Sequence, residues 1–156
     1  YWDQVKLTVH ESFDDFLKTQ QPYLTTTQIQ SLQKQGFTIG AHSLNHPYYE
    51  DITLQEQLNQ TLGSLAALQQ QFGIKEKLFA FPFTDYGVKQ VFFEATLTEH
   101  KIDFSFGGAG FKNDVSPRHL QRLAMEQETT ARKIIGAEYL YYLLKMPLFK
   151  NTISRG

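Results

Sequence analysis

The sequence contains no cysteine, and that absence limits the chemistry open to the chain. Disulfide bonds and thiolate metal sites are excluded, whereas the redox compartment stays open because cysteine-free proteins occur everywhere. No apolar run approaches the roughly 18 residues of a membrane-spanning segment, and no secretory signal peptide is visible. Compartment and oligomeric state are therefore left open by the sequence.

An excess of charge of one sign is also lacking. Lys and Arg number 15 against 16 Asp and Glu, which gives a formal net charge of −1. This balance provides no field that would attract nucleic acid or an acidic membrane surface, so we expect no nucleic-acid partner. Apolar residues are plentiful instead: 41% of the 156 residues are hydrophobic, including 13 Phe and 8 Tyr. That is enough for one domain with a substantial core.

Apolar periodicity and capping residues predict helices that alternate with short strands. The predicted helices cover residues 2–17, 25–36, 53–73, 88–95 and about 130–145, and the predicted strands cover 37–41, 78–83, 102–106 and 120–125. Such alternation is typical of parallel strands joined by helical crossovers, an α/β sheet or barrel. A closed barrel takes roughly 250 residues. We therefore expect a single domain over 1–156, an incomplete barrel lacking its first strands, with a frayed tail at 150–156.

The helix predicted between residues 53 and 73 has an apolar face and a glutamine-rich face. The apolar positions, which recur at helical spacing, are Leu54, Leu58, Leu62, Leu65, Leu68 and Phe72. We expect these side chains to be buried and the glutamines to form a solvated outer surface. The glutamines concerned are Gln55, Gln57, Gln60, Gln69, Gln70 and Gln71.

The candidate site is the stretch from Gly40 to Pro47, which carries His42 and His46 directly after a predicted strand. Two histidines four residues apart lie on one face of a helical turn, close enough to share a metal ion. On spacing alone, surface or packed histidines are the commoner outcome. Zinc usually takes three protein ligands, and no spacing singles out a third. Glu50, Asp51 and Asp85 remain open as candidates.

Three other features have ordinary structural explanations. Asp14 and Asp15 lie in an amphipathic helix and are expected to be solvated. The glycine loop at residues 107–110 lacks the Lys-Ser/Thr that follows in a phosphate-binding loop, so a turn is expected there. His119 precedes a predicted strand, and we expect it to be structural or exposed.

Several stretches resemble the polysaccharide deacetylases, the NodB-homology proteins of carbohydrate esterase family 4. Residues 23–47, with a helix, a short strand and then His-Ser-Leu-Asn-His-Pro, resemble the second motif of that family. Residues 78–83 and 85–87 resemble its third motif, an aromatic–Pro–aromatic strand end, and residues 120–123 resemble its last strand in one branch. The resemblance extends over about residues 22–126.

The resemblance implies a distorted (β/α) barrel and a divalent metal, with zinc the expected ion, held by two histidines and an aspartate. His42 and His46 would be the two histidine ligands, and Ser43 would brace their loop. Pro82 and Phe83 would form a wall of the substrate groove, and a backbone amide near Phe83 would help to stabilise the oxyanion. The reaction implied is attack of water on the acetyl group of an N-acetylated carbohydrate, with a second aspartate as general base.

The sequence departs from the family pattern at two points. Both family aspartates belong to a Thr-Phe-Asp-Asp-Gly motif well upstream of the histidines, and Asp14-Asp15 lies too close to His42 to replace it. Because the chain begins at Tyr1, we expect that motif to lie before it. Ala80 stands where the family has an arginine. Arg122, after the last predicted strand, is a candidate to orient the absent aspartate, and a structural ion pair is an equally good explanation.

Three functional hypotheses follow. The first is a metal-dependent hydrolase that removes N-acetyl or O-acetyl groups from a carbohydrate as part of a longer chain, with these 156 residues inactive alone. The second is a carbohydrate-binding or scaffold domain that has the fold without the catalysis. The third is a metal site of unrelated hydrolytic chemistry. An Asp-Asp pair at an upstream strand end would favour the first hypothesis over the second.

Overall fold

The computed structural model describes residues 12–99 and 101–156, and the chain divides after Thr38 into two compact units. In the first unit, α1 is Phe13–Gln20 and α2 is Thr26–Lys34. The first ten residues of the helix predicted over 2–17 lie outside the described residues. Asp14 and Asp15 are in the first turn of α1 and exposed, as expected.

Helix α2 begins with a capping box. Thr25 Oγ1 accepts a hydrogen bond from the Gln28 amide at 3.3 Å, and Gln28 Oε1 accepts one from the Thr25 amide at 2.8 Å. These two bonds satisfy amides that have no partner within the helix. Gly36 follows the helix with a φ of +87°, a conformation that costs glycine little.

The second unit contains a parallel sheet of three strands, in the order β1, β2, β4. They are β1 (Leu78–Ala80), β2 (Phe104–Gly107) and β4 (His119–Gln121). The pairs Phe79–Ser105 and Ser105–His119 define the register. Parallel strands are as predicted, and no closed barrel is formed by the strands of the described residues. The predicted strand at 37–41 is reduced to one parallel bridge between Ala41 and Phe79.

The core of the second unit is largely aromatic. It consists of Ala41, Tyr49, Phe79, Phe81, Val88, Phe92, Phe93, Leu97 and Ile102. Phe92 and Phe93 come from α4 (Gln90–Phe93), which continues as a π-helical segment, Glu94–Thr98. Edge-to-face contacts join Phe81 to Phe79, Tyr49 and Phe92. Burial of each such ring stabilises the fold by roughly 1.5–3 kcal/mol, so this cluster holds β1 to the segments before and after it in the chain.

A long helix, α3 (Leu54–Phe72), packs on this core. Its ends agree with the sequence prediction: Thr53 Oγ1 caps the Glu56 amide, and Gly73 ends the helix at φ +65°. The prediction that the glutamines form a solvated surface is wrong at two positions, because Gln57 and Gln60 are buried. The buried side of α3 is a polar line that also includes Thr61 and Ser64. The leucines at 58, 65 and 68 are only partly buried against the core.

The C-terminal region contains α5 (Ala131–Lys145), which Thr130 caps, and a short 3₁₀ helix, Met146–Leu148. In α5 only Ile134 is buried, and Leu140 and Leu144 are among the exposed residues of α5. The tail differs from the predicted frayed segment. β5 (Thr152–Ile153) pairs in parallel with β3 (Asn113–Asp114), and Arg155 is buried. In the described part of the chain, no helix is long and apolar enough to cross a membrane.

Candidate metal and substrate site

The histidine stretch leaves the sheet at the edge where the strands end. Ala41 forms a parallel bridge with β1, with the Ala41 amide donating to Leu78 O at 2.8 Å and the Ala80 amide to Ala41 O at 2.9 Å. Because parallel strands present their carboxyl ends at one edge, His42 emerges beside the residues that follow Ala80. This edge is where sites form in α/β folds.

The loop from His42 to His46 is not a helical turn, in contrast to the geometry expected from the spacing. Ser43 and His46 have φ values of +69° and +54°, which turn the chain back on itself. Ser43 Oγ accepts a hydrogen bond from the His46 amide at 3.0 Å. The two imidazoles meet edge to face, with His42 Nε2 and His46 Nε2 3.1 Å apart.

A backbone carbonyl determines which nitrogen of His42 carries the proton. His42 Nδ1 lies 2.8 Å from Ala80 O, which can only accept, so Nδ1 donates, and in the neutral ring Nε2 carries the lone pair, which faces His46 Nε2. Metal-binding histidines commonly donate their second nitrogen in this way. Two nitrogens bound to one tetrahedral zinc at about 2.0–2.1 Å lie about 3.3 Å apart. The observed separation of 3.1 Å therefore fits two ligands of one ion.

An exposed pair of aromatic rings, here called the aromatic shelf, adjoins His46. It consists of Tyr48 and Phe83, whose rings stack at 4.2 Å with 12° between their planes. The two residues are 51% and 56% exposed, and the Phe83 ring meets His46 edge to face at 4.4 Å. Pro82 is fully buried, and the next residue, Phe83, has a φ of +54°. A strained, exposed aromatic residue beside candidate ligands is a feature of binding sites.

Arg122 follows β4 and joins the ends of two other segments. Its Nε donates to Gly107 O at 2.9 Å and its Nη2 to Phe81 O at 3.4 Å. The glycine loop beside it is a turn whose amides are engaged: Gly108 donates to Asp85, and Ala109 to the Gln121 side chain. Those contacts agree with a turn and leave these two amides unavailable to a phosphate.

A second cluster of titratable side chains lies deeper in the same unit. Asp85, Asp114 and His119 bring one ligand atom each within 4.8 Å of one another, a grouping that could hold a metal ion by its distances. However, Arg155 pairs with both carboxylates, at 2.6 Å from Nη2 to Asp114 Oδ2 and in a short contact with Asp85. The guanidinium supplies the positive charge that a cation would supply, so we assign a structural ion-pair network.

The same cluster contains a Ser-His-Asp arrangement. Ser105 Oγ lies 2.6 Å from His119 Nδ1, and His119 Nε2 lies 3.0 Å from Asp85 Oδ2. Since the carboxylate accepts, His119 donates from Nε2 and accepts a hydrogen bond from the Ser105 hydroxyl at Nδ1. The residue types are those of a catalytic triad, but a triad has the serine at Nε2 and the carboxylate at Nδ1, the reverse of the arrangement here. All three side chains are buried, so no substrate reaches the hydroxyl, and His119 is structural, one of the two outcomes expected for it.

The comparison with known families bears on the histidine site. A family model described as polysaccharide deacetylase matches residues 7–101. The chain belongs to the polysaccharide deacetylase family. Members of this family remove acetyl groups from polysaccharides. No curated protein and no solved structure matches the chain.

The deacetylase match covers the histidine loop and the aromatic shelf, whereas Arg122 lies beyond it. Of the three candidates for a third ligand, Asp85 is committed to the buried network, and Glu50 and Asp51 lie in a 3₁₀ helix, Tyr49–Asp51. Among residues 12–99 and 101–156, no third His, Asp or Glu joins the histidine pair within 4.8 Å.

Two glutamines that contact the histidine loop and the residues after it were not found from the sequence. Gln60 accepts from loop amides, and Gln57 Nε2 donates to Tyr49 O at 2.6 Å. One signal was available: Gln57, Thr61 and Ser64 recur at i, i+4 and i+7, the spacing of one helix face.

Proposed function

We propose that this polysaccharide deacetylase domain binds a divalent metal, with zinc the expected ion, through His42 and His46, and that it serves the hydrolysis of N-acetyl or O-acetyl groups on a carbohydrate. One observation carries the proposal. The two Nε2 atoms lie 3.1 Å apart, and the His42 ring is oriented by the Ala80 carbonyl. This is the geometry expected of two metal ligands, one of which, His42, donates its second ring nitrogen to a backbone carbonyl.

Each neighbouring residue has a role in the proposal. Ser43 braces the loop through the His46 amide. Pro82 and Phe83 form a wall of the substrate groove, and the aromatic shelf offers a flat apolar surface to a sugar ring. Arg122 holds the Gly107 and Phe81 carbonyls together at the strand ends. The ion, when bound, would activate water and polarise the acetyl carbonyl.

The exposed shelf also favours a second candidate function, a carbohydrate-binding domain without catalysis. Stacking on aromatic faces needs no metal, and the shelf is exposed whether or not the histidines hold an ion. The two functions differ in what the histidines contribute. If the domain is a hydrolase, His42 and His46 are required for acetate release. If it is a binding domain, substitution of the two histidines leaves the affinity for the sugar unchanged.

Metal binding is the direct test. We expect isothermal titration of the metal-free protein with Zn²⁺ to show one equivalent bound, and His42→Ala or His46→Ala to weaken binding at least a hundredfold, about 2.7 kcal/mol. Asn45→Ala is the matched control, because Asn45 is exposed in the same loop and contributes only its backbone amide to Gln60. Unchanged zinc stoichiometry in both histidine variants would refute the assignment.

Activity and binding are then separated with acetylated chitin oligomers, using the longer chain of the first hypothesis, because these 156 residues are expected to be inactive alone. Acetate release that disappears in both histidine variants supports hydrolysis. Oligomer binding that is abolished by Phe83→Ala but retained in the histidine variants, without acetate release from the parent protein, supports the binding domain.

A further inference from the structure

Gln60 is a buried side chain on α3 that contacts the histidine loop. Only 4% of its surface is exposed. Its Oε1 accepts hydrogen bonds from the Leu44 amide at 3.0 Å and the Asn45 amide at 2.9 Å. Its Nε2 donates to Glu56 Oε1 at 3.0 Å. The side chain therefore bridges the helix to the two residues midway between His42 and His46.

Only one orientation of the Gln60 amide satisfies these partners. Both loop groups are N–H donors, so they require the carbonyl oxygen, and the Glu56 carboxylate requires the NH₂ group. Glu56 thus holds Gln60 with its acceptor directed at the loop. A buried side chain held at both its oxygen and its nitrogen is rigid, because any rotation would leave buried polar groups without partners.

The loop needs such support because it has no regular structure. Three successive amides, of Leu44, Asn45 and His46, are each bound by a side-chain oxygen. Ser43 Oγ binds the His46 amide from within the loop, and the single Oε1 of Gln60 binds the other two amides from α3. Helix α3 also contacts the loop at Gly63, where a Cβ would lie 2.9 Å from Leu44 Cδ1.

We propose that Gln60 is a positioning residue for the metal site: by holding the Leu44 and Asn45 amides, it sets the separation of the His42 and His46 rings. The inference rests on the proposed metal site. Residues that orient metal ligands without touching the ion typically contribute 10–100-fold to affinity.

The test compares Gln60→Met, which keeps the volume and removes the acceptor, with Gln70→Met, an exposed change on the same helix. We expect zinc affinity to fall about 10–100-fold in the first variant and to stay unchanged in the second. The rescue variant combines Gln60→Glu with Glu56→Gln, which exchanges the carboxylate and the amide while keeping an acceptor at the loop. We expect its zinc dissociation constant to lie within about threefold of that of the parent. This ratio corresponds to a difference in binding free energy of about 0.7 kcal/mol.

Hydrogen exchange in the metal-free protein separates this inference from the proposed function. Gln60→Met should accelerate exchange of the Leu44 and Asn45 amides whether or not the histidines bind zinc, and the rescue variant should restore protection. If the histidine variants bind zinc normally while these amides respond as expected, the metal assignment fails and the support of the loop stands. Parent-like zinc affinity or amide exchange in Gln60→Met, or no rescue in a folded double variant, would overturn the role of Gln60.

Discussion

Asp85 illustrates how one side chain joins distant parts of this protein. It lies two residues after Phe83 in the chain. Its carboxylate accepts hydrogen bonds from the Gly108 amide and from the side chains of His119, Gln121 and Arg155. Burial raises the pKa of its carboxyl, but the hydrogen bonds from His119, Gln121, Arg155 and Gly108 outweigh that effect and the net shift is well below the ordinary value. Asp85 therefore stays ionised wherever the protein is folded near neutral pH.

We predict that Asp85→Asn lowers the free energy of unfolding by about 3–5 kcal/mol at pH 7, because Arg155 would be left buried with fewer partners. The loss should depend on pH. Since the folded-state pKa lies below that of the unfolded chain, the stabilisation is present above about pH 5. It is lost progressively as pH falls toward the folded-state pKa. Urea unfolding of both proteins from pH 7 to pH 3 measures the difference.

Asp51→Asn is the control for this series, because Asp51 is exposed and should change the free energy of unfolding by less than about 0.5 kcal/mol. A constant difference between the parent and Asp85→Asn across the pH range would contradict the assigned pKa direction.

At the scale of the element, α3 shows which helix properties are local. Its two ends depend on Thr53 and Gly73, residues that act on their immediate neighbours, and both agree with the sequence prediction. Its buried face does not follow the leucine stripe, since Gln57 and Gln60 are turned inward to the histidine loop and the residues after it. A glutamine side chain can be buried where backbone groups of another segment form hydrogen bonds with its amide. The spacing of apolar residues along the helix carries no information about those backbone groups.

We predict that Gly73→Ala destabilises the protein by about 1–2 kcal/mol, because the left-handed conformation at φ +65° brings a Cβ too close to the backbone. No other atom lies within 4 Å of a Cβ at this position, so the effect is one of conformation alone. Thermal or urea unfolding measures it.

Gly73→Asn provides the comparison, since asparagine tolerates the left-handed region better than alanine does. We expect a smaller loss for asparagine than for alanine, and equal losses would mean that the helix end does not depend on φ.

At the scale of the whole molecule, the second unit is closed by its last residues. β5 pairs with β3, and Arg155 donates to the carbonyls of Asp85 and Val88 as well as to two carboxylates. The Phe93 ring lies under its guanidinium, 4.3 Å from the ring centre. A buried arginine with this many acceptors ties the tail to the segment that follows β1.

We predict that Arg155→Met accelerates tryptic cleavage after Lys150 by on the order of tenfold, because cleavage there requires the tail to detach from β3. Lys150 is exposed and lies just before β5. Mass spectrometry of early digestion products measures the rate, with cleavage after Lys34 in the first unit as the internal control. Equal rates at Lys150 in both proteins would show that Arg155 does not hold the tail.

The sequence by itself indicated helices alternating with parallel strands, the two ends of α3, and the motif stretch that carries the candidate histidine pair. These features depend on neighbours within a few residues, such as Thr25 with Gln28, or on a short motif. The tertiary structure decided the bent geometry of the histidine loop, the inward glutamines and the pairing of Asp85 with His119 and Arg155. The hydrogen bonds of Gln57 with Tyr49 and of Gln60 with Leu44 join residues 8 and 16 positions apart, and those of Asp85 with His119 and Arg155 join residues 34 and 70 positions apart. A polar side chain so placed is stabilised only by partners that folding brings to it, so its role cannot be inferred from spacing along the chain.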